Sequence, residues 1–171
     1  IGRFYLFVLR FVKWPQSFAG RAGRKVQERA SLSHSQAQWA VVTGASSGIG
    51  KAFAEQFAAN GINVVLAARS KADLENVAKS LSGQGVKTEV FVGDLSDMRT
   101  VKQLYKFIET KGLNVGYLVN NAGFGDYGLF VDGKWDKQQQ MIDLNITCLT
   151  YLTKVFAKDM KRRRSGRIVN V

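Results

Sequence analysis

The stretch Thr43-Gly44-Ala45-Ser46-Ser47-Gly48-Ile49-Gly50 has the residue types and spacing to hold an anion. It follows the apolar run Ala40-Val41-Val42, which reads as a buried strand, and leads into residues 49–60, which read as a helix. In that setting each glycine has its own task. Gly44 turns the chain sharply off the strand, Gly48 brings backbone N–H groups close to a pyrophosphate at the helix N-terminus, and Gly50 lets the helix pack tightly on the sheet. A P-loop built on Gly50-Lys51 would need Gly at position 45 and Ser or Thr at position 52, and both are Ala. The usual dinucleotide fingerprint is Gly-x-Gly-x-x-Gly, whereas the spacing here is Gly-x-x-x-Gly-x-Gly. Thr43, Ser46, Ser47 and Ile49 complete the expected cradle.

The second strand ends in Ala67-Ala68-Arg69-Ser70-Lys71. A site for NAD(H) places an acidic residue here, about 20 positions past the glycines, to bind the ribose 2′-hydroxyl. No carboxylate occurs before Asp73. The guanidinium of Arg69 offers paired planar donors suited to a phosphate carrying about −1.5 to −2 charges. The expected cofactor is therefore NADP(H), with Ser70 or Lys71 as helpers. Other chemistries fare poorly: the single His, His34, and the single Cys, Cys148, leave neither a metal cluster nor a Ser-His-Asp set. Cys148, on an apolar stretch, reads as core packing.

The elements that must position these groups alternate along the chain. Strands are expected at 39–43, 63–68, 88–92, around 117–119 and at 167–171; helices at 49–60, 71–81 and 98–111, with a long one within 135–164. Residues 63–68 form a continuous apolar run, as befits a parallel strand covered on both faces. The expected fold class is α/β, a Rossmann-like doubly wound parallel sheet, truncated after the fifth strand.

The net charge of +12 is unevenly spread. One cluster, Lys158, Lys161, Arg162, Arg163, Arg164 and Arg167, falls at the end of the long helix, where cations complement the helix dipole; it is read that way, not as a nucleic-acid surface. The other basic region is the tail and linker, residues 1–38, ahead of a dinucleotide-binding domain at 39–171. Residues 4–14 are aromatic and aliphatic, with Arg3, Arg10 and Lys13 on one side of a helix. That pattern suits a membrane-surface anchor, an organellar presequence or a helix packed on the domain; alone it is shorter than the roughly 20 residues needed to span a bilayer. Localisation is expected to be membrane-associated, as in the endoplasmic reticulum, or organellar, with the cytoplasm as the competing reading.

Taken in order, the motifs at 39–171 resemble those of the short-chain dehydrogenase/reductase family, whose glycine motif is Thr-Gly-x-x-x-Gly-x-Gly. Asp94-Leu95 matches the family's acidic residue beside the adenine ring. Asn120-Asn121-Ala122-Gly123 matches its Asn-Asn-Ala-Gly element, which stabilises the sheet and lines the cofactor pocket. Asn145 in Asp143-Leu144-Asn145-Ile146 matches the helical Asn of its proton relay. The resemblance implies an NADP(H)-dependent carbonyl/alcohol oxidoreductase acting on a small molecule, with an acyl-CoA or lipid-like substrate on the 3-oxoacyl-CoA reductase/17β-hydroxysteroid dehydrogenase branch, and a homo-oligomer is compatible with it. The alternative is a non-catalytic NADP(H)-binding regulator on the same fold. The family's Tyr-x-x-x-Lys pair has no match: Tyr151 is followed by Lys154, one residue short. The catalytic Ser, Tyr and Lys are therefore expected beyond Val171, and residues 1–171 alone are expected to be inactive.

Overall fold

A strand covered on both faces needs no polar alternation, and the buried strands here show none. The computed structural model describes residues 38–171; the 4–14 run, His34 and the linker up to residue 37 lie outside the described residues. Strands β1 (Trp39–Thr43) and β2 (Asn63–Ala68) are buried along almost their whole length. With β3 (Thr88–Val92), β4 (Val115–Asn120) and β5 (Arg167–Asn170) they form one sheet in the order β3-β2-β1-β4-β5, every pairing parallel. The chain builds outward from β1 to β3, then restarts on the other side of β1 with β4. That reversal leaves a crevice beyond the ends of β1 and β4, where open α/β sheets bind ligands.

Helices cover both faces. α1 (Gly48–Ala59) packs on β1 and β2, and α2 (Lys71–Ser82) on β2 and β3. On the opposite face α3 (Met98–Thr110) presents Val101, Leu104 and Ile108, and α5 (Leu149–Arg163) presents Leu152, Phe156 and Met160, to Val41, Val65 and Leu118 of the sheet. Successive strand residues point to opposite faces. Tyr117 accordingly meets Phe57 of α1, at 5.1 Å between ring centroids, while Leu118 belongs to the α3–α5 side. β3 and β5 are the two edges of the sheet, where Val92 and Val169 are exposed.

Two elements differ from the sequence reading. β4 contains the expected 117–119 core and extends back to Val115 across an irregularity at Gly116: Trp39 pairs with Val115, and the next residue, Ala40, pairs with Tyr117. The long helix within 135–164 is α4 (Trp135–Ile142) and α5 joined by a widened π-helical turn, Asp143–Cys148. Such turns are rare and concentrate at functional sites; this one carries Asn145. Cys148, at its end, is buried, and desolvation pushes its thiol up to about 11, so it stays protonated and unreactive near neutrality.

Candidate cofactor site

Parallel strands deliver their C-terminal ends, and helices their N-terminal ends, to one edge of the sheet. There the structure opens a cleft of about 610 Å³, lined by Gly44, Ser46, Ser47 and Ile49 after β1, by Ala68, Arg69 and Ser70 after β2, by Gly93, Asp94 and Leu95 after β3, and by Asn121, Ala122, Gly123 and Phe124 after β4. Leu144 of the π turn closes one side. The volume lies in the range of small-molecule sites, about 300–1,000 Å³.

The floor of the cleft is a hydrogen-bonded clamp between β1 and β4. Thr43 is 2% exposed, and its Oγ1 donates to the Val119 carbonyl (3.2 Å) while accepting from the N–H groups of Asn121 (2.9 Å) and Ala122 (2.9 Å). The Asn121 side chain reciprocates: Nδ2 donates to the carbonyls of Thr43 (3.0 Å) and Gly44 (3.3 Å). Each buried donor that lost its acceptor would cost about 1–3 kcal/mol, so this small set decides the shape of both loops. Thr43 thus lies beneath the cleft and shapes it from below. Asn120 ties β4 outward in the same way, donating to Thr153 Oγ1 (3.0 Å) and Asn170 Oδ1 (2.9 Å).

Gly44 and Gly50 are forced by close approach. Gly44 has φ +65°, and a Cβ there would stand 2.8 Å from Asn121 Nδ2. A Cβ on Gly50 would stand 2.2 Å from the Gly44 carbonyl oxygen, so neither site has room for a side chain. Gly50 is therefore behind the cradle, holding α1 against the loop, while Gly48 is the first residue of α1.

The electrostatics of the cleft come from what is left unsatisfied. α2 and α3 carry side-chain caps, Ser70 accepting from Asp73 N–H and Asp97 from Arg99 N–H. α1 has none: Ser47 makes no side-chain cap bond, and no acidic residue stands in the first turn. Its first N–H groups, which have no intrahelical partner, and the positive end of its dipole point into the cleft. Arg69 lies exposed beside them and forms no hydrogen bond or ion pair among the described residues. Asp94 spends one carboxylate oxygen, Oδ1, on Ser96 N–H and Oγ (2.9 and 2.8 Å) and keeps the other free. Leu95 lines the cleft, although its side chain is part of the core.

Asn145 is committed in both directions: Nδ2 donates to the Phe124 carbonyl (2.9 Å) and Oδ1 accepts from Phe124 N–H (3.2 Å). It braces the loop wall opposite the glycines, next to Gly123, whose Cβ would meet Asn145 Oδ1 at 3.0 Å. Sequence reasoning missed Gly93 and Leu144 as lining residues. Gly93 had the clearest signal, as the small residue between β3 and Asp94; a Cβ there would meet Thr100 Cγ2 at 2.5 Å. Of the described tyrosines, Tyr105 points away from this chemistry. It lies outside the cleft, donates to Asp159 Oδ2 (2.7 Å), and has its hydroxyl pKa raised by burial and then by Asp159 and Glu109.

A doubly wound parallel sheet with an open helix N-terminus at its topological switch point is a Rossmann-like fold. Residues 38–171 match the model of a family described as short chain dehydrogenase, and the chain belongs to that family. It is 37% identical over 150 residues to the very-long-chain 3-oxoacyl-CoA reductase of Anas platyrhynchos, covering 84% of this chain and 47% of that protein. It is 36% identical over 152 residues to the inactive hydroxysteroid dehydrogenase-like protein 1 of Homo sapiens, covering 86% of this chain and 45% of that protein. Among solved structures, a short-chain dehydrogenase from Sphingobium yanoikuyae in complex with NADPH superposes with a TM-score of 0.73 at 35% identity, over 78% of this chain and 52% of that one. The chain spans about half the length of the curated relatives it matches.

Proposed function

We propose that the protein containing these residues interconverts a carbonyl and an alcohol with NADP(H), and that residues 39–171 hold the cofactor. The observation that carries this reading is the pairing of the uncapped α1 N-terminus with the unpartnered Arg69 at the cleft mouth. A pyrophosphate fits the first, a 2′-phosphate the second. Asp94, with its free oxygen, is by the family resemblance the residue beside the adenine, and Asn121, Ala122 and Gly123 line the cleft with it. The nicotinamide would supply the hydride chemistry, and the protein orientation and a proton. Asn145 acts here by fixing Phe124 and the wall; its part in a proton relay rests on the family resemblance.

The substrate side is apolar. Beside the cleft, Tyr127, Leu129, Phe130, Trp135, Met141 and Ile142 line a groove of about 640 Å³, and the first four of these are 64–99% exposed. Such a surface supports an acyl or other lipid-like substrate more readily than a sugar-like one. The reductase relative favours this reading. The inactive relative favours the second one, a cofactor-binding protein without turnover.

Residues 1–171 contain no Tyr-x-x-x-Lys, and general acid catalysis is worth roughly 10²–10⁴-fold. The purified chain is therefore expected to quench or shift NADPH fluorescence on binding, and to oxidise no NADPH across a panel of long-chain 3-oxoacyl, steroid and short ketone substrates. Turnover comparable to a complete relative would show that the catalytic groups lie within these residues. Absence of NADPH binding would remove the cofactor reading itself.

Among the described residues no helix is long and apolar enough to cross a membrane. Membrane association is accordingly proposed for the tail, on the strength of its aromatic and basic 4–14 run. Cell fractionation should find the tagged protein with membranes and a version lacking residues 1–38 in the supernatant. A tail that is neither cleaved nor needed for membrane recovery would exclude both the anchor and the presequence.

A further inference from the structure

The net positive charge of the described residues is concentrated at one edge of the sheet. The cofactor edge is close to balanced: Asp94, Asp97, Asp126, Asp132, Asp136 and Asp143 stand in its loops and helix starts beside Lys51, Arg69, Lys71, Arg99, Lys134 and Lys137. The opposite edge, where strands begin and helices end, is strongly basic: Lys87 precedes β3, and Lys158, Lys161, Arg162, Arg163 and Arg164 gather at the end of α5. One cation there would be ordinary complementation of the helix dipole. The cluster exceeds that need. Arg162 pairs with Asp159 (3.3 Å), and Arg163 is spent on the Val115 carbonyl (2.6 Å) and Asn114 Oδ1. The side chains of Lys158, Lys161 and Arg164 are exposed with no partner among the described residues. Like charges this close lie within one screening length, about 8–10 Å, so they repel one another unless an anionic surface faces them.

The contacts of Arg163 place the cluster. They pin the end of α5 to the start of β4, and Val115 pairs with Trp39, whose N–H donates to the Asn114 carbonyl (2.9 Å). The basic patch therefore surrounds the point where the chain enters β1 through Gln38. The residues that precede this point interleave Arg3, Arg10 and Lys13 with Phe4, Phe7, Phe11 and Trp14, a composition that partitions into a bilayer interface and not one that reads bases. We infer that the α5-end patch is a second, electrostatic membrane-contact surface on the folded domain, which sets the strand-start edge of the sheet against an anionic bilayer and leaves the cofactor cleft, on the far edge, open to water. This extends the membrane reading of the tail but is tested separately from it.

The test uses the whole chain and sedimentation with vesicles of neutral phosphatidylcholine, or of phosphatidylcholine with about 30% phosphatidylserine. Binding should favour the anionic vesicles and fall steeply between about 50 and 500 mM salt. Each basic residue at an anionic surface is worth about fivefold, so losing the three charges costs roughly a hundredfold and Lys158→Glu/Lys161→Glu/Arg164→Glu, which reverses them, should lose at least that on anionic vesicles. The same variant should keep its NADPH affinity, as an intact fold requires, and its tail-driven binding to neutral vesicles. Four results would each overturn the inference. The triple variant could bind anionic vesicles as the unmodified chain does. Phe130→Ser/Trp135→Ser could abolish binding instead, placing the cofactor edge on the bilayer. Duplex RNA could displace the chain from vesicles at equal salt. The salt titration needs no variant, and a flat response would overturn the inference by itself.

Discussion

Arg69→Asp should reverse cofactor preference, weakening NADPH binding by roughly a hundredfold while leaving NADH binding unchanged or improved. The magnitude follows from the geometry. A hydrogen bond to a charged group contributes about 1.5–3 kcal/mol, one to two decades, and an aspartate adds repulsion toward the 2′-phosphate. The same carboxylate can accept from the ribose 2′-hydroxyl of NADH, which is the arrangement of sites that prefer that cofactor. The substitution is clean because Arg69 is exposed, lies past the end of β2 and holds nothing else in place. Ser70 continues to cap α2 through Asp73 N–H, and Lys71 stays with Glu75 (3.7 Å), so neither neighbour is displaced. Binding titrations with both cofactors on both proteins decide it. Equal affinity of the unmodified chain for NADPH and NADH would remove Arg69 as a selectivity residue.

The parts of the site legible in the sequence were those whose cause is local. Gly44, Gly48 and Gly50 announced themselves because a strand, a turn and a helix meet within eight residues, and Arg69 because a fixed offset from the glycines leads to the end of β2, where it lines the cleft. Strands β1 and β2 were legible because burial on both faces leaves an unbroken apolar run. What could not be read is cooperative over distance. Thr43 looks like one more cradle residue, yet its hydroxyl joins groups 76 to 79 residues away and works beneath the cleft. The π turn at Asp143–Cys148 is invisible to a 3.6-residue period, because one extra residue per turn shifts the apolar face without breaking it. Asn145 was found through its motif, but its two bonds to Phe124 belong to the folded loop alone. The basic cluster at the end of α5 was legible, but its place beside the start of β1 was not, because that depends on Arg163 reaching Val115 and on Val115 pairing with Trp39.

Gly50→Ala should destabilise the domain by about 2 kcal/mol and weaken NADPH binding more than tenfold, against the usual rule for a helical glycine. That rule says that alanine gains up to about 1 kcal/mol in a helix interior, and Gly50 lies inside α1. Here the sign is decided by space. The added Cβ would stand 2.2 Å from the Gly44 oxygen, 2.8 Å from the Gly44 carbon and 2.6 Å from Asn121 Nδ2. Two of those atoms are backbone held by the Thr43–Asn121 clamp, so the loop cannot yield without losing hydrogen bonds at the cleft floor. Overpacking of this kind costs about 1–3 kcal/mol, and each bond stretched at the clamp adds to it. Relief would come by tilting the first turn of α1 away from β1, which moves its N–H groups off the anion and couples the stability loss to the binding loss. Gly83→Ala is the matched control: Gly83 caps α2 at φ −70°, with nothing within 4 Å of its would-be Cβ, and should be neutral or slightly stabilising. Urea unfolding and NADPH titration of the three proteins separate these effects. If Gly50→Ala matched Gly83→Ala in both, the close contact of α1 with the Gly44 loop would not be what holds the cofactor cradle in shape.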